Sequence, residues 1–222
     1  MNRKLKSFSI LLLSLLTLAS CKDSDSTPDP RHDWQSRNAQ WFTEVYDAAK
    51  ASIAQAKAQY PNGNDWQEHC EWRLYKTLMK SQDVPGTATD YIVCKVNPPY
   101  RRDVDEGYAT YTDSVRLYYR AWIMDEKYPE SKTNMTVFSQ SYYGEFDSTR
   151  VAPIAMPVIS TVEGFMTALQ YMVKGDEWEV YIPQQLAYKE NASDYIPAYS
   201  TLLYRIRIKS VHKSGTGLSE WR

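Results

Sequence analysis

The stretch from Glu179 to Ile208, EVYIPQQLAYKENASDYIPAYSTLLYRIRI, constrains the fold of this chain more than any other. Val180 and Ile182 alternate with Glu179 and Tyr181, and Tyr204, Ile206 and Ile208 alternate with Arg205 and Arg207. Period-two alternation puts successive side chains on opposite faces of a strand. Proline cannot donate to a strand ladder, so Pro183 ends the first strand and Pro197 ends the polar loop before the second. Two strands in this order must find partners and a hydrophobic cover.

The rest of the chain supplies both. Asp33 to Tyr60 reads as a helix, with Asp33 as N-cap. Trp34, Trp41, Phe42, Val45, Tyr46, Ala49, Ile53 and Ala56 fall at helical spacing, and Pro61-Asn62-Gly63-Asn64 stops it. This stripe suits packing onto the domain that follows better than a coiled-coil partner. Trp66 to Lys80 fits helix or strand equally. Ser81 to Asp90 is a loop, Tyr91–Val96 a strand ending before Pro98-Pro99, and Arg101 to Thr112 a charged loop. Val115, Leu117, Tyr119, Ala121 and Ile123 form the apolar face of a strand. Glu126 to Thr136 is a polar excursion, and Val137-Phe138 starts another short strand. Gly144 to Pro157 carries turns and an extended stretch. Glu163 to Met172 is a short helix with Phe165, Leu169 and Met172 on one side and Gly175 as its C-cap. Glu177–Ile182 and Thr201–Ile208 are strands, and His212 to Arg222 is a polar tail around Trp221. Many strands around one late helix imply an α+β fold, a curved antiparallel sheet wrapped on that helix behind an N-terminal helical extension.

The N-terminus reads as an export signal, residues 1–20. Arg3, Lys4 and Lys6 precede an apolar run from Phe8 to Leu18. That run is shorter than the roughly 20 residues a membrane span needs, and it fits a signal peptide. Leu18-Ala19-Ser20-Cys21 resembles a bacterial lipobox, which makes Cys21 the expected lipid acceptor and the cell envelope the expected location. Residues 21–32 read as a tether, because Lys22 to Pro30 contains no apolar residue. Its acidic residues resemble surface-export signals of Bacteroidetes-like lipoproteins and equally suit a solvated spacer. Cys70 and Cys94 then lie in an oxidising compartment, as a disulfide or as two buried thiols.

Within about 200 mature residues, the order of motifs resembles the FKBP-type peptidyl-prolyl isomerase family. The residues carrying the resemblance are Leu117-Tyr118-Tyr119-Arg120-Ala121, Val137-Phe138-Ser139, Thr161-Val162-Glu163-Gly164-Phe165, Ala168-Leu169, Met172, Gly175, Ile182-Pro183, Leu186-Ala187-Tyr188, Ile196-Pro197 and Ser200 to Tyr204. The resemblance implies a twisted antiparallel sheet around one short helix. It places an FKBP-like domain at 89–213, behind a helical extension at 33–88 and ahead of a tail at 214–222. It also implies an aromatic prolyl pocket with Tyr119, Phe138, Phe165 and Tyr188 as its catalytic residues. Ser139, Thr161, Val162, Ile196 and Tyr204 would contact the bound segment, with the Val162 N–H and the Tyr188 hydroxyl on neighbouring carbonyls. A second candidate for the phenylalanine motif, Phe146-Asp147-Ser148, leaves too little chain before the helix. Among the departures from the family pattern, three bear on catalysis: Ser139 stands where the family has aspartate, Phe165 where it has tryptophan, and Lys189 where it has glycine. In a tight loop, Lys189 is expected to alter the backbone.

Isomerisation of an X–Pro bond needs no metal, cofactor or nucleophile, only a site that favours the twisted amide. The expected partner is a proline-containing peptide or unfolded envelope protein, with the membrane reached through the lipid. The first reading is therefore an envelope foldase with reduced turnover. The second is a non-catalytic binding module or chaperone. A third, a surface glycan binder, rests only on the 18 tyrosines and 7 tryptophans. A net charge of −1 argues against nucleic acid. His32, His69 and His212 lack metal-ligand spacing, and the sequence has neither a Gly-rich phosphate loop nor a nucleophile elbow.

Overall fold

In the computed structural model, which describes residues 29–97, 107–127 and 135–216, the alternating segments become strands of a single sheet. The signal segment, Cys21, most of the tether and Trp221 lie outside the described residues. So do half of the charged loop and most of the polar excursion. The strands are β1 (Trp72–Lys76), β2 (Tyr91–Val96), β3 (Ser114–Met124), β4 (Met135–Gln140), β5 (Ile154–Pro157), β6 (Glu177–Ile182) and β7 (Leu202–His212). The helices are α1 (Trp34–Gln59) and α2 (Glu163–Tyr171). All pairings are antiparallel, in the order β1-β2-β6-β7-β3. The free side of β3 is shared: β5 pairs its first half, β4 its second. Irregularities at Arg116/Leu117 and Ala121/Trp122 bend β3.

The two helices cover opposite faces of the sheet. On β2, period two sends Ile92 and Cys94 toward α2 and Val93 toward α1, and all three are buried. Phe165, Ala168 and Leu169 of α2 join Val180, Leu202 and Ile206 in the main core. Phe42 and Ala49 of α1 close over Val93, Trp72 and Tyr181 on the other side. Gly164 sets how closely α2 lies: a Cβ there would stand 2.3 Å from Ile182 Cγ2.

The extension is fixed to the domain by buried polar bonds as well as apolar packing. Asn38 is fully buried; its side-chain amide donates to the Trp34 carbonyl at 2.8 Å and its Oδ1 accepts from the Thr201 N–H at 2.8 Å. The Trp34 indole N–H donates to Ser200 Oγ at 3.0 Å.

Several local expectations need correction. The ambiguous stretch from Trp66 is a 3-10 turn (Asp65–His69) followed by β1, so the sheet reaches back into the segment expected as a helical extension. Tyr75 stacks 4.1 Å from Tyr171 and 5.6 Å from Trp178, which commits β1 to the sheet. Asp33 occupies the N-cap position of α1 but is left-handed (φ 54°) and makes no capping bond. Gly175 is not the helix cap: α2 ends at Tyr171 with Met172 as its C-cap, and Gly175 (φ 86°) forms the turn into β6, its N–H bonded to the Ile208 carbonyl. Of the two alternatives for Cys70 and Cys94, the structure has the two separate buried thiols, and burial pushes the Cys94 thiol well up.

Candidate functional site

One cavity of about 540 Å³ opens between β3, β4, the start of α2 and the loops before α2 and β7. All nine residues expected at a prolyl site line it. Tyr119 reaches it from the inner face of β3, Phe138 and Ser139 from β4, and Tyr204 from β7. Thr161, Val162 and Phe165 come from the turn into α2, and Tyr188 and Ile196 from the loop between β6 and β7.

Four of the rings pack edge to face and leave the middle open. Phe165 stands 4.7 Å from Tyr204 at 73°, and Phe138 stands 5.8 Å from Tyr204 at 87°. Tyr119 lies 6.4 Å from Phe165 and 6.1 Å from Tyr204. Such geometry places positive ring edges on negative faces and holds each ring upright as a wall. Tyr204 and Phe165 are almost fully buried, at 6% and 3% exposure, and form the floor; Tyr188, at 38%, stands at the mouth. Burial, with the phenols of Tyr188 and Tyr119 beside it, pushes the Tyr204 phenol well above its ordinary value. Among the described residues, no carboxylate, imidazole or amine lies in the wall.

Ser139 shares a hydrogen bond of 2.7 Å between its hydroxyl and that of Tyr119. The shorter side chain thus keeps a polar contact from β4 to the β3 tyrosine. Val162 caps α2 in extended conformation, its carbonyl bonded to the Met166 N–H at 2.9 Å. Its own N–H has no acceptor among the described residues. The Thr161 hydroxyl is engaged, donating to the Val158 carbonyl at 2.9 Å.

Lys189 takes a backbone conformation that favours glycine. It is left-handed, with φ 55°. Its N–H donates to the Gln184 carbonyl at 3.1 Å, and its carbonyl accepts from the Tyr199 N–H at 2.6 Å. Tertiary bonds at both ends hold the lysine in a region that disfavours a side chain.

The cavity also contains residues that the sequence reading missed: Met156 on β5, Ser160, Ser193 and Tyr195. Tyr195 is 75% exposed. Its position before Ile196-Pro197 was the one available signal. Phe146 is excluded from the site. It packs on Tyr118 at 4.9 Å and Tyr142 at 5.1 Å, under the Arg207 guanidinium at 4.1 Å.

A family model described as FKBP-type peptidyl-prolyl cis-trans isomerase matches residues 106–209. The FKBP-type 22 kDa peptidyl-prolyl cis-trans isomerase of Escherichia coli (strain K12) is 34% identical over 101 residues, which is 45% of this chain and 42% of that one. The peptidyl-prolyl cis-trans isomerase Mip of Coxiella burnetii (strain RSA 493 / Nine Mile phase I) is 37% identical over 81 residues, 36% of this chain and 33% of that one. The chain therefore spans less than half the length of these two relatives. Among solved structures, FkpA from Escherichia coli aligns over 85% of this chain and 74% of its own, with 20% identity and a TM-score of 0.44. Over residues 106–209 the chain is thus similar to the FKBP-type peptidyl-prolyl cis-trans isomerase family, and the two curated relatives carry the same description over part of their length.

Proposed function

We propose that this protein is a lipid-anchored peptidyl-prolyl cis-trans isomerase of the cell envelope, acting on X–Pro bonds of unfolded envelope proteins with reduced turnover. The observation that carries the reading is the convergence of Tyr119, Phe138, Phe165, Tyr188, Ile196 and Tyr204 on one open cavity. A barrier of about 18–20 kcal/mol opposes rotation about a peptide bond. Twisting the bond breaks conjugation between nitrogen and carbonyl, leaving a less polar group that an aromatic, water-poor cup solvates better than water does. A site complementary to that state lowers the barrier without forming a covalent bond. In this reading, the prolyl ring sits over Phe165 and Tyr204, walled by Phe138 and Tyr119. The Val162 N–H, which lacks an acceptor among the described residues, takes one neighbouring carbonyl, and the Tyr188 hydroxyl takes another. Ser139 and Phe165 supply less polarity than aspartate and tryptophan would, which supports slower turnover. The lipobox-like Leu18-Ala19-Ser20-Cys21 supports anchoring through Cys21.

The neutral Ser139 also favours a second reading, a module that binds proline segments without turnover. NMR exchange spectroscopy on a short Leu-Pro peptide separates the two. The enzyme reading expects catalysed exchange that falls at least tenfold in Phe138→Ala and Tyr188→Ala. Binding with no exchange above background would leave the second reading. Metabolic labelling with palmitate, lost in Cys21→Ser, tests the anchor.

A further inference from the structure

A smaller cavity of about 170 Å³ adjoins the main one, and Phe138 and Tyr195 line both. Its remaining wall brings together parts of the chain that the prolyl site does not use. Trp34, at the start of α1, and Met124, at the end of β3, supply apolar surface, and so does Val137 on β4, which is 42% exposed. At the rim, Arg31 is neutralised by Glu126 at 2.8 Å. Asp194 also lines the rim, and it has no hydrogen-bond or ionic partner among the described residues. Among the described residues, the cleft is thus apolar inside and carries at its edge one negative charge that no cation offsets. Trp34 of its wall comes from the extension, which the Trp34–Ser200 and Asn38–Thr201 bonds fix to the domain.

We propose that this cleft is a specificity subsite for the same client segment whose proline occupies the main cavity. Its occupant is an apolar side chain close to the X–Pro pair, with a lysine or arginine next to it that meets Asp194. The two cavities share the Phe138 and Tyr195 walls, so an extended peptide, at about 3.3–3.6 Å per residue, passes from one to the other within a few residues. An apolar side chain gains by leaving water for this cleft. A neighbouring cation gains from Asp194, whereas an anion there is repelled. The N-terminal extension thereby takes part in choosing clients. This inference rests on the prolyl-site reading of the main cavity.

The test compares a short Leu-Pro peptide with versions extended by Leu-Lys or by Gly-Ser, on each side in turn, using the purified protein. On one side, Leu-Lys is expected to raise kcat/KM about tenfold over Gly-Ser, the scale at which an apolar pocket discriminates. Val137→Asp is expected to abolish that preference, and Asp194→Lys to reduce it to about a third by repelling the cation. Asp194 is exposed, so its variant keeps the test valid if Val137→Asp does not fold. Equal kcat/KM for Leu-Lys and Gly-Ser on both sides, with the short peptide turned over, overturns the subsite alone. If nothing is turned over, the enzyme reading fails instead, and dissociation constants of the same peptides then decide the cleft. A tenfold Leu-Lys preference in binding supports it, and equal affinities or no binding overturn it.

Discussion

The hydroxyls of Tyr119 and Ser139 stand 2.7 Å apart and tie β3 to β4 at the wall of the candidate site. A carboxylate at position 139 would accept a charge-assisted bond from the same phenol, roughly twice as strong as a neutral one. Ser139→Asp is therefore expected to raise kcat/KM for a short X–Pro peptide several-fold, and Ser139→Ala to lower it. A fall in the aspartate variant, with the fold intact by circular dichroism, would show that this cavity does not use a charge there.

Asn38 joins the extension to the start of β7 through buried bonds. Asn38→Ala leaves the buried Thr201 N–H without its acceptor, a loss worth about 1–3 kcal/mol. Urea unfolding should show that decrease in a single transition. An unchanged midpoint would mean that α1 does not contribute to the stability of the domain.

Gly164 allows α2 to lie against β6 and β2. In Gly164→Ala the added Cβ meets Ile182 Cγ2 at 2.3 Å and Ile92 Cγ2 at 3.2 Å. Overpacking of this kind costs about 1–3 kcal/mol. Ile182→Ala in the same chain removes the closest clash, so the double variant should lose less than the sum of the single losses.

Lys189 sits at φ 55°, where glycine avoids the steric penalty of a Cβ. Lys189→Gly is expected to raise thermal stability, by up to about 1 kcal/mol, without moving the loop. A drop in melting temperature would indicate that the lysine side chain makes a stabilising contact in solution.

Asp113 contributes acid sensitivity to the fold. Burial alone would raise its carboxyl, but the Thr110 and Ser214 N–H groups, the Thr110 hydroxyl and Lys213 outweigh burial and hold it down to about 2. A depressed carboxylate contributes stability that is present above its unfolded value, near 3.9, and lost as pH falls through its folded value. Between about pH 4 and pH 2, unfolding free energy should fall by about 2 kcal/mol from this group. Asp113→Asn should start lower at pH 7 and show a shallower slope across that window.

The sequence made much of this architecture legible because the signals involved are local. Alternation in 204–208 and at Val115 to Ile123, the Ile-Pro stops and the short helix at Glu163 depend on backbone geometry and near neighbours. The strands and α2 therefore appear where periodicity predicts them, within a few residues. Trp72–Lys76 was ambiguous because five residues fit either period. Only Tyr91–Val96 across the sheet, with Tyr171 and Trp178 beneath, makes them a strand.

The cavity was legible in part. The order of motifs selected Phe138 over Phe146, and Phe138 lines the cavity while Phe146 lies elsewhere. Met156, Ser160 and Ser193 carried no signal, since nothing in their own neighbourhoods marks them as walls. The left-handed Lys189 could not be read either, because bonds from Gln184 and Tyr199 impose a conformation that lysine disfavours.

By itself, then, the sequence determined which segments are strands and helices, which faces are apolar and which motif order the domain follows. The tertiary structure decided that rings up to 85 positions apart, from Tyr119 to Tyr204, stand around open space rather than filling it. It also decided that a helix outside the motif supplies the wall of a second cleft. The reason is physical: periodicity records how each segment meets its own neighbours, whereas a cavity is what remains when distant segments are packed together.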